Sequence, residues 1–97
     1  MSLLQLESFV VIAEEGHVGR AAQRLHVSQP PLTRRLRALE DELGVSLFAR
    51  TPRGMTLRPD GERLLTHARE ILARVDTARR AFAPSAGPPA AGPSKSG

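Results

Sequence analysis

Two helical stripes separated by barely enough chain for a turn constrain this sequence more than any other feature. The stretch from Val18 to Glu42, VGRAAQRLHVSQPPLTRRLRALEDE, reads as a short helix, a tight turn and a longer second helix. Ala21, Ala22 and Leu25 form an apolar strip whose small residues let another helix cross close by, as a helix-turn-helix requires. His26 and Val27 leave room only for a turn, with Val27 as its apolar plug. Ser28 offers a hydroxyl to cap the next helix, and Pro30 and Pro31 fall in its first turn, where missing N–H groups matter little. Leu32, Leu36, Leu39 and Leu43 then recur at steps of four, three and four, a buried helical face. Arg34 and Arg37 lie roughly opposite that face and Arg35 flanks it.

A basic helix face usually does no more than solvate the chain. Here, however, the charge order opposes the helix dipole: arginines come first, and Glu40, Asp41 and Glu42 occupy the last turn. Each such placement costs about 0.3–1 kcal/mol. Asp41 stands four residues after Arg37, but that order is the weaker one for a helical ion pair. A local rule broken in this way often marks a functional surface, and a phosphate backbone is the obvious partner for the basic half. The reading is that this chain binds double-stranded DNA.

Composition agrees. Ninety-seven residues suffice for one small domain, marginal alone, for which oligomerisation is a natural remedy. The net charge is +4, with arginines clustered in the middle of the chain and Glu7, Glu14 and Glu15 in the first helix. Without cysteine there is no disulfide framework and no thiolate metal site. No apolar run is long enough to span a bilayer, and the N-terminus lacks the pattern of a signal peptide. A cytoplasmic protein is expected, with no membrane partner.

The rest of the chain suggests a mainly α fold. Leu3, Leu6, Phe9, Val10 and Ala13 predict an amphipathic first helix ending at Gly16, and Gly44 closes the recognition helix in the same way. From Ala49 to Arg58, with Pro-Arg-Gly at the centre, turn chemistry between two short extended segments predicts a small hairpin, or wing, presenting Arg50 and Arg53. Pro59 opens a last helix with Asp60 and Glu62 in its first turn. In it Leu64, Ala68, Ile71, Val75, Ala78 and Phe82 follow the alternating spacing of a coiled-coil seam, which Leu65 and Leu72 widen. Part of that stripe could be ordinary core. A helix of about 35 Å, at 1.5 Å per residue, is nevertheless longer than so small a domain covers, so a homodimer through this helix is expected. The expected organisation is a winged helix-turn-helix over residues 1–58, a linker or dimerisation helix over 59–83, and a disordered Pro/Gly/Ala/Ser tail over 84–97.

At this point the chain resembles the N-terminal DNA-binding domain of a LysR-type bacterial transcriptional regulator. The residues that carry the resemblance are Leu6, Phe9, Ala13, Gly16, Ala21-Ala22, Leu25, the run from Val27 to Leu32, Leu39-Glu40, Leu43-Gly44, Leu47-Phe48, Arg50 and Gly61. It implies a winged helix-turn-helix, a linker helix paired antiparallel in a dimer, and recognition of an interrupted inverted repeat near a promoter. It also implies that Gln29, Pro30, Pro31, Thr33, Arg34 and Arg35 lie at the major groove, and that Arg50 and Arg53 belong to the wing. Ser28 and Arg37 complete the candidate DNA-binding set. Two positions depart from the family: Gly19 replaces a hydroxyl residue that caps the first helix of the motif, and Arg58 replaces a threonine before Pro59. The larger effector-binding domain typical of such regulators has no counterpart in these residues, so no small-molecule ligand and no cofactor are expected.

Other classes fare poorly. His17, His26 and His67 lack zinc-site spacing and read as turn or surface residues. The acidic triplet has no partner base, and no phosphate-binding glycine pattern exists, so an enzyme is not expected. The alternative is an interaction module that pairs with full-length regulators through the Leu64–Phe82 seam and modulates them.

Overall fold

The first helix is wrapped by the rest of the chain. In the computed structural model, which describes residues 1–83, α1 (Leu3–Glu15) touches α2 (Val18–Leu25), α3 (Gln29–Leu43), α4 (Pro59–Phe82) and the second strand of a hairpin. The segment expected to be disordered, 84–97, lies outside the described residues. The wrapping explains a difference from the amphipathic reading of α1. Val11, Ile12 and even Ser8 are buried along with Leu6, Phe9 and Val10, whereas Leu3 is exposed. A helix enclosed on several sides is apolar nearly all round. Ser8 is accommodated because its hydroxyl donates to the Leu4 carbonyl at 2.8 Å. A capping box starts α1: the Ser2 hydroxyl accepts from the Gln5 N–H and the Gln5 side chain accepts from the Ser2 N–H, both at 3.1 Å.

Ala21 and Ala22 are buried, so α2 approaches α1 and α3 closely, and α3 buries Leu32, Leu36 and Leu39 as its period requires. His26 ends α2 in the left-handed conformation at φ 58°, and Val27 tucks back with its N–H on the Ala22 carbonyl at 3.0 Å.

After α3, the carboxylate of Glu40 accepts from the Leu47 N–H at 2.8 Å, which fixes the turn into the hairpin. Strands β1 (Phe48–Thr51) and β2 (Gly54–Leu57) pair antiparallel, Arg50 opposite Met55, around the two-residue turn Pro52-Arg53. Phe48 anchors the base of the hairpin on Phe9, with ring centroids 5.5 Å apart. Its tip is pinned by the Met55 N–H donating to the Gly16 carbonyl at 3.0 Å. Only glycine fits at position 54: φ is 138°, and a β-carbon would come within 2.3 Å of the Gly16 carbonyl oxygen.

α4 divides into two halves. Its start presses on the loop before β1, where a β-carbon on Gly61 would meet the Leu47 carbonyl oxygen at 2.2 Å. Ala68 is fully buried, and Leu64, Leu65 and Leu72 pack partly against the same core. Ala68, expected in a seam between chains, therefore has no surface left for one, because α1 already covers that part of the stripe. From Ile71 onward the helix outruns its support: Ile71 and Ala78 are exposed, Leu72 and Val75 are half-buried and Phe82 is 91% exposed.

Candidate nucleic-acid interface

The start of α3 sets the character of this face. Ser28 holds the N-cap position, but its side chain makes no capping bond, contrary to the expectation from sequence. The reason is local: a cap side chain accepts from the second or third helical N–H, and those positions are Pro30 and Pro31. The hydroxyl is left exposed at the tip of the helix beside the prolines.

Gln29, Thr33 and Arg37 follow at intervals of four and share one flank of α3, facing the wing. Gln29 lines a groove of about 370 Å³ together with Arg50 and Arg53, and Thr33 and Arg37 line a neighbouring one of about 180 Å³ that also includes Arg50. Arg50 thus borders both grooves, which lie between α3 and the hairpin. Arg34 is exposed on the side of α3 turned away from the core, and Arg53 stands at the wing tip, where its N–H donates to the Thr51 hydroxyl at 3.3 Å. Arg35 is set apart: it is half-buried on the other flank and its guanidinium reaches toward the Ser8 hydroxyl at 3.4 Å.

Charge pairing separates the arginines into two groups. Arg24 meets Glu14 at 2.7 Å and Glu15 at 3.3 Å, Arg69 meets Glu14 at 3.2 Å, and Arg63 and Arg80 pair with Asp60 and Asp76. The hydrogen bond from Arg24 holds the Glu14 carboxyl below the ordinary carboxylate range, reinforced by Arg69 and opposed by partial burial. Among the described residues, no carboxylate lies within ion-pair distance of Arg34, Arg37, Arg50 or Arg53. Arginine forks left without protein anions on one face are suited to phosphate and guanine.

The acidic end of α3 has a more structural explanation than sequence alone suggested. Glu40 is engaged with the Leu47 N–H, and Glu42 pairs with the Met1 ammonium. Two of the three charges that oppose the dipole thus tie α3 to its neighbours. His17, taken from sequence as a turn or surface residue, caps α2: its Nδ1 accepts from the N–H groups of Gly19 at 3.0 Å and Arg20 at 3.3 Å. Histidine is not among the preferred capping residues, so its type carried no signal. Arg58 holds the N-cap of α4 without a side-chain bond, as its replacement of a hydroxyl residue implied.

Helices α2 and α3 joined by a tight turn, packed on α1 and followed by a two-stranded wing, with Arg34 and Arg37 on α3 and Arg50 and Arg53 on the wing, define a winged helix-turn-helix of the DNA-binding type. Residues 3–62 match the family described as bacterial regulatory helix-turn-helix protein, lysR family, and the chain belongs to it. It is 50% identical over 80 residues to the HTH-type transcriptional regulator TfdT of Cupriavidus pinatubonensis (strain JMP 134 / LMG 1197), covering 82% of this chain and 35% of that protein. It is 53% identical over 72 residues to ClcR of Pseudomonas putida, covering 74% of this chain and 24% of that regulator. The chain therefore spans only about a quarter to a third of these curated relatives. Among solved structures, the DNA-binding domain of CbnR in complex with DNA is similar at 45% identity and a TM-score of 0.77, covering 86% of this chain and all of that one. The BenM domain bound to benA site 1 DNA gives 36% identity and a TM-score of 0.79, covering 84% of this chain and 94% of that one.

Proposed function

We propose that this chain binds double-stranded DNA sequence-specifically, as a homodimer, and serves as the DNA-reading part of a bacterial transcriptional regulator acting in the cytoplasm. The observation that carries the reading is the pair of grooves between α3 and the wing. Gln29, Thr33 and Arg37 line their helix side, Arg50 borders both, and among the described residues no carboxylate lies within ion-pair distance of Arg34, Arg37, Arg50 or Arg53. Membership in a family of regulators, and likeness to domains solved on DNA, support it. Among the described residues no helix is long and apolar enough to cross a membrane. The exposed second half of α4 is the surface we assign to the partner copy, with Ile71, Val75, Ala78 and Phe82 as its apolar residues. The reading head then extends past residue 58 to about Leu72, because the first half of α4 completes its core.

Binding curves on a selected duplex and on a scrambled one, each across a range of salt, test the proposal. Arg34→Ala is expected to weaken the selected duplex by about 1–3 kcal/mol and to relax preference at one base pair. Arg53→Ala is expected to weaken both duplexes alike and to lower the salt slope by about one. A wild-type chain that dimerises yet is displaced from every duplex by non-specific competitor would instead favour a module that pairs with other regulators.

A further inference from the structure

Gly19 lies within the first turn of α2, with a backbone that any residue adopts. Its missing side chain therefore matters only through the space it leaves, and that space is in use. A β-carbon there would stand 2.8 Å from Cε1 and 3.0 Å from Nδ1 of the His17 ring, and 3.2 Å from Nε2 of Gln29. His17 occupies the gap to cap α2, through its bonds to the N–H groups of Gly19 and Arg20. Gln29, the first residue of α3, rests its carboxamide against the same gap and lines the larger groove beside Arg50 and Arg53.

We propose that Gly19 is a specificity-determining, positioning residue that acts through Gln29: the absent β-carbon decides where the Gln29 carboxamide rests, and so which base edge it meets. The role rests on the DNA-reading function proposed above. Gln29 has two donors and an acceptor at the end of a flexible arm, so a few tenths of an ångström at its resting place re-aims them. A side chain at position 19 displaces the His17 ring and crowds Nε2 together, coupling the turn before α2 to the reading end of α3. Propensity alone works the other way: alanine in place of a helical glycine raises stability. A change in base preference is therefore separable from a change in stability.

The test is selection of a random-sequence duplex pool by the full chain and by Gly19→Ser, Gly19→Ala, Gln29→Ala, His17→Ala and the Gly19→Ser/Gln29→Ala pair, with thermal midpoints measured in parallel. Gly19→Ser and Gly19→Ala are expected to shift preference by about tenfold at the one base pair in each half-site whose preference Gln29→Ala abolishes. The double variant is expected to match Gln29→Ala. His17→Ala, which removes the cap but leaves Gln29 its space, is expected to lower the midpoint and keep the wild-type preference. An enriched wild-type sequence that both Gly19 variants retain unchanged overturns the role of Gly19 alone. So does His17→Ala producing the same shift as the Gly19 variants, which would make the effect a general loosening of α2. A wild-type pool without any enriched sequence overturns the DNA-reading function itself, and this role with it.

Discussion

Two consecutive prolines decide what Ser28 does. A serine before a leucine-patterned helix reads as a cap, yet Pro30 and Pro31 remove the N–H groups it would serve. Ser28→Ala is accordingly expected to change stability by less than about 0.5 kcal/mol, while Ser2→Ala, which breaks the capping box of α1, lowers it by about 1 kcal/mol. Urea titrations of both variants check the contrast, and a Ser28→Ala loss as large as that of Ser2→Ala would mean the hydroxyl holds some other group. Residue type and spacing alone made Arg34, Arg37, Arg50 and Arg53 legible as candidates. It gave no sign that His17 caps α2 or that Glu40 holds the Leu47 N–H, because each bond depends on where the next element places its backbone.

At the scale of elements, α1 and α2 are joined on their exposed side by Glu14, Glu15 and Arg24, and α4 enters through Arg69. The Glu14 carboxyl is held below its ordinary value in the folded chain. Its contribution is therefore present above the unfolded carboxylate value, near pH 4.5, and is lost as pH falls through the lower folded value. The wild type should be more stable than Glu14→Gln at pH 7, and the two should converge as the solution is acidified through the lowered folded value. Thermal melts over that range read the difference directly, and a gap that stays constant into acid would remove Glu14 from the account. The halves of α4 separate just as clearly. Ala68→Asp buries an unpaired charge in the core and should unfold the domain, at a cost of several kcal/mol. Ile71→Asp alters an already exposed position and should leave the helical circular dichroism intact while sedimentation shows monomers. A dimeric Ile71→Asp chain would place the pairing surface elsewhere.

For the whole molecule, the proposed pairing of two α4 helices turns a local groove into a reader of spacing. Two rigidly joined recognition helices enter successive major grooves on one side of the duplex, about one helical turn or ~34 Å apart, or a multiple of that. Inserting about five base pairs between half-sites rotates one of them to the far side, so footprints on such a duplex should fade. Restoring a full turn should recover at least part of the protection. Affinity indifferent to the half-turn insertion would mean flexibly tethered heads and would exclude a rigid α4 pair.

The sequence alone determined the element order, the helix-turn-helix, the small hairpin and the basic character of α3 and the wing. All of these are local: they follow from periodicity, turn chemistry and proline or glycine placement over a few residues. It also exposed the coiled-coil spacing of α4 without saying how much of it the chain covers itself. Tertiary structure decided that division, because α1 reaches Ala68 but nothing in the described residues reaches Phe82. Tertiary structure likewise sorted the arginines. Arg24 and Arg69 spend their charge on α1 glutamates, Arg35 leans toward Ser8, and those along the α3–wing grooves meet no carboxylate among the described residues. Which charge meets which depends on how helices far apart in sequence cross, and a pattern read along one chain direction holds no information about that.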